Sequence, residues 1–184
     1  MIALLILALA LAMDAFAVSL CQGAAARPTP VLALPMAGAF GLAQALMPIG
    51  GWLLGTAFAT AMADYDHWVA FGLLGLLGLK MIREGFAPPD PCPPALIGGR
   101  TLFAAAIATS IDAAAAGITL PTLGVPVLLA SAVIGIVTAV LCFGGALSGA
   151  RLGTAFGKKA EVAGGLVLIL LGVRVLAQHM GWFG

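Results

Sequence analysis

Two carboxylates stand where a chain rarely places charge. Asp14 lies in LALAMDAFAVSL (9–20) and Asp112 in AIATSIDAAAAGITL (106–120), each inside a run that is otherwise apolar but for a few hydroxyl side chains. Such a pair could make ion pairs with basic side chains, share one proton between like charges, or coordinate a cation. Neutral oxygen donors expected in the same layer are Ser19, Gln44, Thr109, Ser110 and Thr138, with the thioethers of Met13 and Met47 as softer ligands. Carboxylates with neutral oxygens suit Mg2+, Ca2+ or Mn2+ in preference to copper or iron–sulfur chemistry. We favour the cation site over a purely structural charge network. Its candidate metal ligands are Asp14, Asp112, Gln44, Ser110, Thr109, Ser19 and Met13.

The elements that must position these residues follow from composition. Of 184 residues, 62% are hydrophobic and 8% charged, against about 25% charged in an ordinary soluble domain. The mean hydropathy is +1.17. Eight basic and seven acidic side chains cannot cover a soluble protein of this size, so lipid must be the solvent for most of the surface. Runs of about 20 apolar residues read as spanning helices, and there are six: 2–22, 31–59, 67–86, 100–120, 125–149 and 161–181. They are continuous runs, not alternating segments of about ten residues, which excludes a closed β-barrel. The expected fold is all-α, a polytopic membrane protein of six transmembrane helices. The opening MIALLILALALAMDA also resembles the apolar part of a signal peptide. A signal peptide normally begins with positive charge, and no Lys or Arg precedes Arg27.

The depth of the two aspartates sharpens their meaning. At 1.5 Å per residue, each lies within roughly 4 Å of its helix centre. An Asp there costs about 2.5–3.5 kcal/mol even on insertion scales, so both should find partners inside the bundle. Small residues flank each one on its helical face, Ala10 and Ala17 for Asp14, Ala105, Ala108, Ala115 and Ala116 for Asp112. Such faces let helices approach closely. Lys80 and Arg174, near the ends of the third and sixth helices, are expected to snorkel to the interface, with a salt bridge to an Asp as the competing role.

The two halves repeat one another. GLAQALMPIGGWLLG (41–55) matches GIVTAVLCFGGALSG (135–149) at an offset of 94, with Gly41, Ala45, Gly50, Gly51, Leu53 and Gly55 recurring. LLGLKMI (76–82) matches LLGVRVL (170–176) at the same offset, with Lys80 opposite Arg174, and MDAFAVSL pairs with IDAAAAGI. Three helices per repeat is an odd number, so consecutive repeats enter the membrane in opposite orientations, the inverted-repeat plan of secondary transporters. The domains expected are a first three-helix repeat (1–86), a Pro/Gly-rich cytoplasmic linker (87–99) and a second repeat (100–184). Arg27, Arg83, Arg100, Arg151, Lys158 and Lys159 all fall on or beside the first, third and fifth loops. The positive-inside rule puts those loops in the cytoplasm and both termini outside. Pro35 and Pro48 within the second run predict a bent helix.

Several other activities find no support. Cys21, Cys92 and Cys142 form neither a C-x-x-C pair nor a zinc spacing. GTAFGKK (153–159) has three residues between its glycines where a phosphate loop has four, and no hydroxyl residue follows its lysines. His67 and His179 lie near helix ends with no H-E-x-x-H. No basic patch suggests nucleic acid. The chain reads as a transporter, not an enzyme, with no cofactor.

At MDAFAVSL, ATSIDAAAAG, DHWVAFGLLGLLGLKMIREGF and GKKAEVAGGLVLILLG the chain resembles the bacterial manganese efflux pump family, MntP, within the broader LysE-type exporters. The resemblance runs from about residue 5 to 178. It implies that Asp14 and Asp112 are essential membrane carboxylates, that Mn2+ is the transported substrate, and that the protein sits in the bacterial cytoplasmic (inner) membrane. Gln44 falls where members carry Glu or Gln, which speaks against a mechanism needing a third carboxylate. Expelling a divalent ion against 100 mV costs about 4.6 kcal/mol, and two inward protons would cancel that term. The expected mechanism is therefore proton antiport, the carboxylates binding metal when deprotonated and releasing it as they protonate. Mn2+, protons and lipid are the expected partners, and homo-oligomerisation is left open. Export of another cationic solute, such as an amino acid or another divalent metal, a passive cation channel and a non-transport scaffold are the alternatives.

Overall fold

The computed structural model describes residues 2–57, 66–87, 99–120, 124–152 and 154–180. Within them the chain forms eight helices and no strand: α1 (Ile2–Leu11), α2 (Met13–Ala26), α3 (Pro30–Ala57), α4 (Asp66–Phe86), α5 (Gly99–Ala108), α6 (Ile111–Thr119), α7 (Val127–Leu152) and α8 (Thr154–His179). Most of the 87–99 linker and of the second loop lies outside the described residues. Four segments are long and apolar enough to cross a membrane: Pro30–Ala57, Gly99–Thr119, Val127–Leu152 and Gly157–Gln178. α1 and α2 make a fifth if the pair, bent by 45°, counts as one span. The charged residues Asp66, Lys80, Arg83 and Glu84 set α4 apart from these.

The structure departs from the expected helices in three places. The first run is two helices broken at Ala12, and the fourth is interrupted at Thr109–Ser110. The second run is one continuous helix, α3, which holds both Pro35 and Pro48 in its interior. α8 begins before residue 161, so Lys158 and Lys159 ride on its first turns rather than in a loop. α2 ends at Arg27, whose positive φ of 45° is the left-handed stop expected just ahead of the Pro28-Thr29-Pro30 connection.

Packing on α3 inverts the pattern of a helix in a soluble bundle. On α3, Gly41, Gln44, Pro48 and Gly51 face inward while Leu42, Leu46, Leu53 and Leu54 are exposed. Helices in lipid gain nothing by hiding leucine and instead associate through small residues that let backbones meet. Several of the close approaches come in pairs. Gly51 of α3 lies against Ala114 of α6, and Gly145 of α7 lies against Phe16 of α2. Gly55 meets Ile118, and Gly149 meets Leu20. Gly41 and Gly135 face one another. Gly78 abuts Gly165, as Gly172 abuts Phe71. The second member of each pairing is the first carried along the chain by 94 residues, or by the 98 that separate Asp14 from Asp112. Helix contacts follow suit: α2 packs on α7 and α8 as α6 packs on α3 and α4, while α3–α7 and α4–α8 form the two broadest seams.

Candidate functional site

The interruption between α5 and α6 has a local cause. Thr109 Oγ1 donates to the carbonyls of Ala105 (3.1 Å) and Ala106 (3.3 Å), and Ser110 Oγ donates to that of Ala106 (2.7 Å). Hydroxyls that back-bond in this way compete with the helix ladder and distort it. The Ser110 backbone N–H then turns to Ile107 (3.0 Å) and α6 starts afresh at Ile111. The first break, at Ala12, has no such hydroxyl beside it.

Gln44 ties the two breaks together. Its Nε2 donates to the carbonyl of Leu11 and to that of Thr109, both at 3.1 Å, from a fully buried position on α3. One amide thus satisfies two carbonyls at helix ends where the regular ladder fails. Gln44→Leu should strand both acceptors, costing about 2–6 kcal/mol at roughly 1–3 kcal/mol for each unsatisfied group. A lowered thermal midpoint of the purified protein in detergent, compared with wild type, is the measurement.

Asp14 and Asp112 each sit in the first turn of the helix that follows a break. Asp112 is 5% exposed, and its Oδ1 accepts the N–H of Ala113 at 2.8 Å. The Asp14 side chain is 15% exposed, and its Oδ2 lies 3.5 Å from Lys80 Nζ. The two carboxylates are close enough to interact electrostatically, and Lys80 senses both. Asp14 Oδ1, Asp112 Oδ2 and Gln44 Oε1 are buried and have no hydrogen-bond partner among the described residues. Thr138 Oγ1, at the position matching Gln44, and Ser131 Oγ are in the same condition.

The remaining candidates distribute unevenly. Thr109 and Ser110 form the second break itself, and Ser19, buried on α2, donates to the Ala15 carbonyl (2.8 Å). All three keep oxygen lone pairs after donating. Met13 lies in an apolar groove with Ile6, Leu9, Ala10 and Phe16, beside Gly164. Among the described residues no three His, Cys, Asp or Glu side chains cluster as metal ligands, so any cation held here needs neutral oxygens besides the two carboxylates. Lys80 does not simply snorkel: its ammonium is also 3.6 Å from Glu84 Oε2. Glu161 of α8 lies in the same charged neighbourhood, within electrostatic reach of Asp14, Lys158, Glu84 and Lys80. Neither Glu84 nor Glu161 was a sequence candidate. The i,i+4 spacing of Lys80 and Glu84 was the available signal for the first.

Comparison with known proteins places this geometry in context. Residues 27–176 match the family described as "Putative manganese efflux pump". A Methanosarcina mazei protein named "Putative manganese efflux pump MntP" is 49% identical over 179 residues, covering 96% of both chains. A relative of the same name from Saccharophagus degradans is 47% identical, over 96% of this chain and 98% of its own. One from Proteus mirabilis is 42% identical, over 98% and 96%. No solved structure matches.

Proposed function

Since the chain belongs to the manganese efflux pump family, MntP, we propose that it exports Mn2+ from the cytoplasm as a secondary transporter, with Asp14 and Asp112 holding the ion. The observation that carries this reading is the set of three buried, unpartnered oxygens: Asp14 Oδ1, Asp112 Oδ2 and Gln44 Oε1. A buried acceptor without a partner is costly, and Gln44 bonds within three residues of each Asp. A divalent cation is the partner that would satisfy all three. Thr109, Ser110 and Ser19 would complete the oxygen shell directly or through water. Met13, in its apolar groove, would contribute least.

In this reading α1–α2 and α5–α6 are the broken first spans of two inverted repeats, 1–86 and 100–184, joined by the 87–99 linker, and α4 is the sixth span. The paired glycine approaches and the paired helix contacts support that symmetry. Broken spans that meet near the midplane are where such transporters bind ions. The loops rich in Arg and Lys face the cytoplasm of the inner membrane, both termini lie outside, and protons moving inward supply the driving force. Ligands must be deprotonated to hold the metal, so exchange of Mn2+ for protons follows from the donor chemistry.

The experiment is Mn2+ uptake into inside-out vesicles containing the protein. Uptake should accelerate severalfold when the vesicle lumen is made acidic and return to baseline with a protonophore. Uptake indifferent to the gradient would remove proton antiport. Transport of lysine in place of Mn2+ would remove the substrate assignment.

A further inference from the structure

Lys80 occupies an unusual position for a cation that could reach water. Its side chain is half exposed at 48%, yet the ammonium turns to the membrane-depth carboxylate of Asp14, 3.5 Å away, and is shared with Glu84 at 3.6 Å, one turn along α4. Only one oxygen of Asp14 is engaged, since Oδ1 stays buried and unpaired. The Glu84 backbone is anchored in turn, its carbonyl accepting from Lys158 Nζ at 2.9 Å across the α4–α8 seam. Lysine suits a moving role, being a compact charge on a flexible stem.

The other half of the chain supplies the contrast. Arg174 stands at the position matching Lys80, and Gln178 at the position matching Glu84. Arg174 lines an exposed groove with Leu170, Val173 and Gln178 and has no ion pair among the described residues. That half keeps a cation but offers it no second carboxylate one turn away.

We propose that Lys80 is a tethered counter-cation, resting on Asp14 when the transport site is empty and withdrawing to Glu84 when the transported ion arrives. This rests on the reading of Asp14 as a ligand of that ion. The empty site then returns across the membrane with Asp14 neutralised by the ammonium and Asp112 by a proton, and the incoming ion must displace both. Such competition lowers apparent affinity by the fraction of time that the carboxylate is free.

The test is Mn2+ binding by equilibrium dialysis to the purified full chain in nanodiscs, alongside uptake in inside-out vesicles. If Lys80 occupies Asp14 about nine-tenths of the time, Lys80→Met should tighten Mn2+ binding about tenfold while turnover in vesicles falls. Glu84→Gln should act in the opposite direction, weakening binding severalfold, because Lys80 loses its place of withdrawal. An ion pair that merely braced the fold would lose affinity on Lys80→Met. Unchanged or weaker binding by Lys80→Met therefore overturns the proposal. Should that variant not fold, Glu84→Gln decides, with unchanged affinity as the overturning result. Asp14→Asn separates the two levels: if it binds Mn2+ as wild type does, the ligand assignment has failed. If it loses binding while Lys80→Met shows no gain, only the counter-cation has failed.

Discussion

Asp14→Asn and Asp112→Asn are each expected to abolish Mn2+ uptake into inside-out vesicles, lowering the initial rate by at least roughly a hundredfold. Loss of a group that merely orients a metal ligand already costs 10–100-fold, and in the proposed site each substitution removes a charged ligand itself. Asparagine keeps the shape of the side chain, so the packing around each break survives. At position 112 the amide oxygen can still accept the Ala113 N–H that Asp112 Oδ1 now takes. At position 14 the change also strips Lys80 of one of its two carboxylates, leaving Glu84. The amount of monodisperse protein extracted from each membrane is the control for folding. Uptake that persists in both variants would make these carboxylates structural and would end the proposed mechanism.

The second large effect concerns packing. Gly51→Ala is expected to destabilise the protein by about 3 kcal/mol, at the upper end of what an overpacked core costs. A methyl group at Gly51 would run into the backbone carbonyl of Ala114, two residues beyond Asp112 on α6, and backbone cannot swing aside as a side chain can. The neighbouring Gly50→Ala provides the comparison, since nothing lies within 4 Å of a Cβ there. Replacing a helical glycine by alanine in open space should stabilise by roughly 0.5–1 kcal/mol. Thermal unfolding of the two variants in the same detergent should therefore shift in opposite directions. Equal shifts would mean that α3 and α6 do not cross as closely as described.

Much of this protein was legible before folding because lipid writes plainly on sequence. A chain must cover its surface with leucine and valine where it meets hydrocarbon, so the spanning runs, and the oddity of Asp14 and Asp112 within them, were evident from residue type alone. The ordered recurrence of glycine at 41, 50, 51 and 55 and at 135, 144, 145 and 149 likewise announced the repeat, and all of these but Gly50 and Gly144 lie where helices approach closely. The family resemblance, read on the two Asp motifs and on the segments 66–86 and 157–172, agreed with the relatives found over nearly the whole chain.

Tertiary structure decided what local composition could not express. The prolines of α3 drew attention to that helix, yet the interruptions fall elsewhere, at Ala12 and Thr109–Ser110. A helix interruption is tolerable in lipid only where another element satisfies the freed backbone groups, and the satisfying group, the Gln44 amide, lies 33 residues from Leu11 and 65 from Thr109. The pairing of Lys80 with Asp14 is of the same kind. Hydropathy alone sends that lysine toward water, and only folding adds the Asp14 carboxylate of α2, at 3.5 Å, to the Glu84 on its own helix. Burial in lipid acts residue by residue and is written along the chain, whereas hydrogen bonds and ion pairs need two partners, and the chain joins those partners only once it has folded.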